Sequence, residues 1–149
     1  FIMLGNGEKA LEDRFAKIAR SRDNFLYLRG YVDSLSDPLY ASADLFLMPS
    51  SFEPCGISQM LSMRAGAPCV VHAVGGLKDT VADCVTGFVF DGETPAQQAE
   101  NFVSAVQRAI LTKRENPSMW KKICSNAASQ RFSWEVAAKT YRQRLYDFD

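Results

Sequence analysis

Short, wholly apolar runs alternate with stretches whose apolar residues recur every three or four positions, and this alternation persists through Phe90. Phe1–Leu4 is apolar throughout and stops at Gly5-Asn6-Gly7, which predicts a strand feeding a tight turn. From Glu8 to about Arg20, Ala10, Leu11, Phe15, Ile18 and Ala19 share one helical face. Phe25–Leu28 reads as a second strand ending at Arg29-Gly30-Tyr31, and Pro38–Ala43 as a short helix opened by its proline. Leu45–Pro49 is apolar at every position, the pattern of a strand covered on both faces.

The alternation then continues. A helix from about Gly56 to Arg64 is stopped by Gly66 and Pro68, and Cys69–Ala73 is a fourth strand. A helix from Leu77 to about Asp83 and a strand over Gly87–Phe90 follow. Beyond Pro95 the pattern is helical to the end, in three pieces opened by Thr94-Pro95, Asn116-Pro117 and Ser133. The last piece aligns Trp134, Val136, Ala137, Tyr141 and Leu145.

Strands separated by helices predict an α/β fold with a doubly wound, Rossmann-like parallel sheet. Residues 1–149 are expected to form a single domain, with roughly 95–149 as its C-terminal helices. Ligands of such sheets sit outside the carboxyl ends of the strands, so the residues just after each strand carry the functional information.

Composition narrows the partners. Lysine plus arginine equals aspartate plus glutamate, 17 against 17, so no global field draws the protein to nucleic acid or anionic lipid. No apolar run is long enough to cross a bilayer, and the opening Phe1–Gly5 shows neither the basic stretch nor the small-residue cleavage site expected of a secretory leader. The opening in mid-strand reads as a piece of a longer, N-terminally truncated chain. Cys55, Cys69, Cys84 and Cys124 form no Cys-x-x-Cys pair, and His72 alone cannot complete a zinc set. Reduced thiols fit a cytoplasmic or plastid-stroma compartment, and His72 is expected to be packed or hydrogen-bonded. Trp120 and Trp134 are expected to anchor the terminal helices on the sheet.

Four strand-end segments hold the candidate chemistry. Pro49–Gln59 runs from a buried strand into a helix, with Gly56 allowing close backbone approach. The amides of Ile57, Ser58 and Gln59 would then face outward at a helix N-terminus, where phosphate is favoured. Glu53 would repel that phosphate, unless its carboxylate faces a hydroxyl or a developing cation. Val74-Gly75-Gly76-Leu77 repeats the arrangement, its paired glycines letting a ligand rest on the backbone. Gly30-Tyr31 offers an aromatic ring to a nucleobase, and Gly5-Asn6-Gly7 is a turn. A dinucleotide fingerprint, and with it a nicotinamide dehydrogenase, is weakened because position 10 is Ala10.

Phe-Glu-Pro-Cys-Gly-Ile-Ser-Gln at 52–59, Met-Arg-Ala-Gly at 63–66 and Gly-Gly-Leu-Lys-Asp-Thr-Val at 75–81 resemble the signature of bacterial glycogen synthases and plant starch synthases. The flanks agree: Leu4–Glu8, Gly30-Tyr31, Ala41–Asp44, Thr86–Phe90 and Phe132–Trp134. The resemblance implies the C-terminal half of a two-domain GT-B-type glycosyltransferase. That half would bind ADP-glucose or UDP-glucose, while a missing N-terminal domain holds an α-1,4-glucan acceptor. Glucose would be added to the non-reducing end with retention, without metal or other cofactor.

Residue by residue, the resemblance makes Glu53 the catalytic carboxylate beside the donor glucose. It puts Gly56, Ile57 and Ser58 in the diphosphate cradle, with Cys55 beside them among the nucleotide-sugar-binding residues, Tyr31 against the base, and Gly75-Gly76 near the donor. Val74 replaces the family's usual threonine, and His72 stands where arginine is frequent. The family's arginine and lysine diphosphate clamp would lie upstream of Phe1. Other retaining glycosyltransferases of the same fold often carry a second glutamate eight positions after the first. Leu61 stands there, which favours the synthase reading over theirs. A non-catalytic nucleotide-binding module is the alternative from another class.

Overall fold

A computed structural model of the protein describes residues 1–146. They cluster as two compact units, the first Phe1–Pro38 and the second from Leu39 onward.

The first unit is a βαβ element. Strands β1 (Ile2–Gly5) and β2 (Leu26–Arg29) pair in parallel, Ile2 opposite Leu26, and helix α1 (Lys9–Arg20) connects them. Phe15 packs on Phe25 and Tyr27, and Phe25 stacks on Phe1. One buried carboxylate organises the turn after β1: Glu12 accepts a hydrogen bond from the Gly7 amide at 3.0 Å and pairs with Arg29.

Helix α2 (Asp33–Ser42) starts five residues before the proline expected to open it, with Pro38 inside. Pro38 lies past the first turn, where it has no N–H to give to the Ser34 carbonyl, so the helix forgoes one internal hydrogen bond, while Asp33 in the first turn suits the helix dipole.

In the second unit, β3 (Phe46–Met48), β4 (Cys69–His72) and β5 (Gly87–Phe90) form a parallel sheet in the order β3-β4-β5. Alternation of side chains across these strands divides the core. On one face Cys69 and Val71 pack with Met63, Leu77, Val81 and Ala127. On the other, Val70, Phe88 and Phe90 pack with Ala105, Ala109 and Ile123. Helices α3 (Ser58–Arg64) and α4 (Gly75–Thr80) therefore cover the first face, α5 (Pro95–Glu115) the second, and α6 (Pro117–Ser129) contributes to both. The sheet is wound on both sides, as its continuous apolar strands require.

Arg108 of α5 ties the helix to the β5 side. It donates twice to Asp83, at 2.8 Å each, and once to the Val89 carbonyl, with its guanidinium over the Phe88 ring.

Helix α7 (Trp134–Leu145) corrects one expectation. Trp120 does pack on the sheet, stacked on Phe88, but Trp134 is 87% exposed and no residue of α7 is buried. The apolar face read from its spacing is real, yet it is not turned into this core. The expected run of helix to the chain end continues into residues 147–149, which lie outside the described residues. Among the described residues no helix is long and apolar enough to cross a membrane.

Candidate functional site

The turn after β3 and the turn after β4 interlock. The segment from Ser50 to Ile57 leaves β3, folds over the start of α4 and enters α3, and the Gly76 amide donates to the Pro54 carbonyl at 3.2 Å. This brings Glu53, Cys55, Gly56, Ile57, Ser58, Gly75 and Gly76 together within the second unit. Tyr31 follows β2 in the first unit, with its side chain 73% exposed.

The glycines have a sharper reason than ligand access. A Cβ on Gly75 would stand 1.8 Å from the Glu53 carbonyl oxygen, and one on Gly76 would stand 2.3 Å from that of Cys55. Both sites are crowded by backbone, which cannot yield as a side chain can. Gly75 also has φ +43°, and both glycines lie within the first turn of α4 rather than in a loop before it. Helix α4 accordingly begins two residues earlier than its apolar spacing suggests, and it ends at Thr80. Gly56, with φ +77°, is covered by the Gln59 side chain, so a Cβ there would meet that amide at 2.4 Å. The chain's own packing thus accounts for all three glycines.

Neither strand-end helix carries a side-chain cap. Ile57 and Val74 hold the N-cap positions, and neither side chain can accept a hydrogen bond. The start of α3 therefore presents amides that no N-cap side chain satisfies, at a point where Ile57 is 68% exposed. Glu53, just before it, is half-buried. Cys55 is exposed, with its thiol donating weakly to the Gly56 carbonyl at 3.6 Å.

Sequence reasoning gave Gln59 a part only through its backbone amide, and gave Thr80 none. Gln59 is fully buried beneath Cys55 and Gly56, and Thr80 reaches it from α4. The pairing of a buried glutamine in α3 with a hydroxyl in α4 follows from tertiary packing and has no spacing signal. Cys69, behind Gln59, donates to its carbonyl at 3.5 Å. Burial pushes that thiol up to about 12, so it stays protonated and inert at neutral pH.

His72 is packed, as expected. It is buried against Phe90, and its Nδ1 donates to the Ser50 carbonyl at 3.0 Å, which fixes the proton on that nitrogen when the ring is neutral. A polar cleft of about 670 Å³ opens beside it, lined in part by Val74, Asp91, Glu93, Gln97 and Asn101. A smaller cleft of about 340 Å³ in the first unit, lined in part by Glu12, Tyr27 and Arg29, holds none of the candidate residues.

The family described as "Glycosyl transferases group 1" matches residues 1–110. The chain belongs to that family. It is 41% identical to a glycogen synthase of Nitrosospira multiformis, over 95% of this chain and 30% of the relative. The chain thus spans about 30% of the length of the curated glycogen synthases it matches.

Among solved structures, the chain superposes on the catalytic domain of starch synthase IV from Arabidopsis thaliana, bound to ADP and acarbose. The TM-score is 0.82 at 31% identity, over 96% of this chain and 31% of that one. Anabaena HepE in complex with UDP-glucose gives a TM-score of 0.68 at 27% identity, covering 99% and 40%. These neighbours support the GT-B-type α/β architecture for this group 1 glycosyltransferase chain.

Proposed function

We propose that the chain is the donor-binding part of a retaining glucosyltransferase that adds glucose from ADP-glucose or UDP-glucose to the non-reducing end of an α-1,4-glucan. The observation that carries this reading is the interlocked turn. A half-buried carboxylate, Glu53, immediately precedes an uncapped helix start, and both are held by glycines that admit no side chain. A diphosphate would take the place of the missing cap on the amides of Gly56, Ile57 and Ser58. Glu53, displaced from that anion along the chain, would hydrogen-bond the glucose and stabilise positive charge as it develops at the anomeric carbon. Identity to glycogen synthases, and superposition on enzymes solved with ADP and with UDP-glucose, support a nucleotide-sugar ligand. Tyr31, in the first unit, is assigned no part in this site.

The acceptor and the remaining catalytic groups would come from the rest of the longer protein, so the 149-residue segment by itself is expected to transfer no glucose. No metal ion is required, and a chelator should leave transfer unchanged. A cytoplasmic location, or the plastid stroma in a plant, completes the proposal and is supported by four free cysteines.

The test is Glu53→Gln in the full-length protein, assayed for glucose incorporation into glycogen from each donor. Turnover should fall by roughly 10²–10³ while ADP affinity stays within a few-fold. Wild-type turnover with weakened ADP binding would overturn the role given to Glu53. Nucleotide binding without transfer by the unmutated full-length protein would favour a non-catalytic module.

A further inference from the structure

We propose that the Gln59 side chain, backed by Thr80, is a positioning residue that locks the Glu53–Gly56 turn at one height over the two strand-end helices. The inference rests on the glucosyltransferase reading for its catalytic consequence, but not for its structural one. Gln59 is 0% exposed, and the two protons of its Nε2 are shared among three acceptors: the carbonyls of Cys55 at 3.1 Å and Gly56 at 3.0 Å, and, more distant, the Thr80 hydroxyl at 3.3 Å. Thr80 passes the connection on, donating to the Gly76 carbonyl at 2.7 Å. One amide on α3 thus links the turn carrying Glu53 to the first turn of α4, whose Gly75 backbone already abuts the Glu53 carbonyl.

The amide orientation is forced, because two of the three partners are carbonyls that can only accept. It leaves Oε1 buried with no hydrogen-bond partner, 2.4 Å from where a Cβ on Gly56 would stand. An unsatisfied buried acceptor lowers stability, and a methionine of similar length would fill the space without that cost. Packing alone therefore does not call for glutamine here. The donors do. Without Gln59, the Cys55 carbonyl would lose this donor and the Gly56 carbonyl would keep only the weak Cys55 thiol, so both would shift toward water and carry the neighbouring Glu53 with them.

A displacement of about 1 Å at a reacting group is enough to cost on the order of 100-fold in rate. Gln59 and Thr80 are given no contact with a reacting atom and act only through the turn.

The experiment compares Gln59→Met, Thr80→Val and Thr80→Ser in the full-length protein, by donor kinetics and by hydrogen–deuterium exchange of peptides resolved over the chain. Gln59→Met should lower kcat about 10–100-fold with donor KM changed only a few-fold. Thr80→Val should give a smaller loss in the same direction, and Thr80→Ser, which keeps the hydroxyl, should restore wild-type behaviour. Exchange should rise over 53–57 and 75–77 in Gln59→Met, with β4 and β5 unchanged. Unchanged exchange over 53–57 would overturn the proposal, as would a general rise that includes β4, because Gln59 would then be an ordinary core residue. Should the unmutated protein transfer no glucose from either donor, the functional reading fails, and the local exchange still decides the role of Gln59.

Discussion

The helices that follow β3 and β4 and those that follow β5 begin in opposite ways. Thr94, Asn116 and Ser133 cap α5, α6 and α7, each accepting a hydrogen bond from a first-turn amide. Thr94 and Gln97 complete a reciprocal capping box. At α3 and α4 the same position holds Ile57 and Val74, and no cap exists. A polar cap is worth about 1 kcal/mol, so two helices of seven and six residues forgo stabilisation that the longer ones take. They are held sideways instead, by Met63 and Leu77 in the core and by the backbone of the 53–55 turn against Gly75 and Gly76. Local chemistry sets the ends of the outer helices. Tertiary contact sets the ends of the inner two, which leaves the amides at the start of α3 available to a ligand.

The comparison breaks most severely at Gly75. Gly75→Ala puts a Cβ into the Glu53 carbonyl at a positive φ, and about 3 kcal/mol or more of stability should go. Urea denaturation reads this directly; a loss below about 1 kcal/mol would mean the two turns are not interlocked.

On the other side, Thr94→Ala should remove about 1 kcal/mol through the capping box alone, with donor kinetics untouched. A change in donor KM would show that the outer caps are coupled to the site.

Val74→Thr sharpens the contrast from within. Val74 already has the extended backbone of an N-cap, φ −124° and ψ 148°, so a hydroxyl there can cap α4. A gain of about 0.5–1 kcal/mol is expected. No gain would mean that the Gly76–Pro54 hydrogen bond already does the work of a cap.

The smallest effect concerns pH and the staple on α5. Burial pushes the Asp83 carboxyl up, but the hydrogen bonds from Arg108 and the Val89 amide, with the Arg108 charge, outweigh it and hold the group below its usual range. A depressed carboxylate stabilises the fold above its unfolded value of about 4 and loses that contribution as pH falls through its lowered one. Both partners are substantially exposed, so the effect is modest. Thermal melts of Asp83→Asn should differ from wild type at pH 7 and converge with it at acid pH. A constant difference would remove Asp83 from the acid dependence.

Element order, the parallel strands and the capped starts at Thr94, Asn116 and Ser133 could be read from the sequence, because apolar periodicity and cap chemistry act over a few neighbouring residues. The Glu53–Ser58 segment was readable as a candidate because its residue types and order carry the resemblance to glycogen and starch synthases. The early start of α4 was not legible, since glycine is a poor helix former and only the approach of the 53–55 backbone makes it obligatory. The extension of α2 past its proline was hidden likewise, because a proline reads locally as a start. Trp134 looked like an anchor, for spacing shows that a helix has an apolar face without showing what that face meets. Gln59 and Thr80 lie twenty-one residues apart, and their hydrogen bond exists only once α3 and α4 pack on the same side of the sheet. Short-range preference is written residue by residue along the chain. Which backbone comes to rest against which other backbone depends on the whole core, and that was decided only in the folded structure.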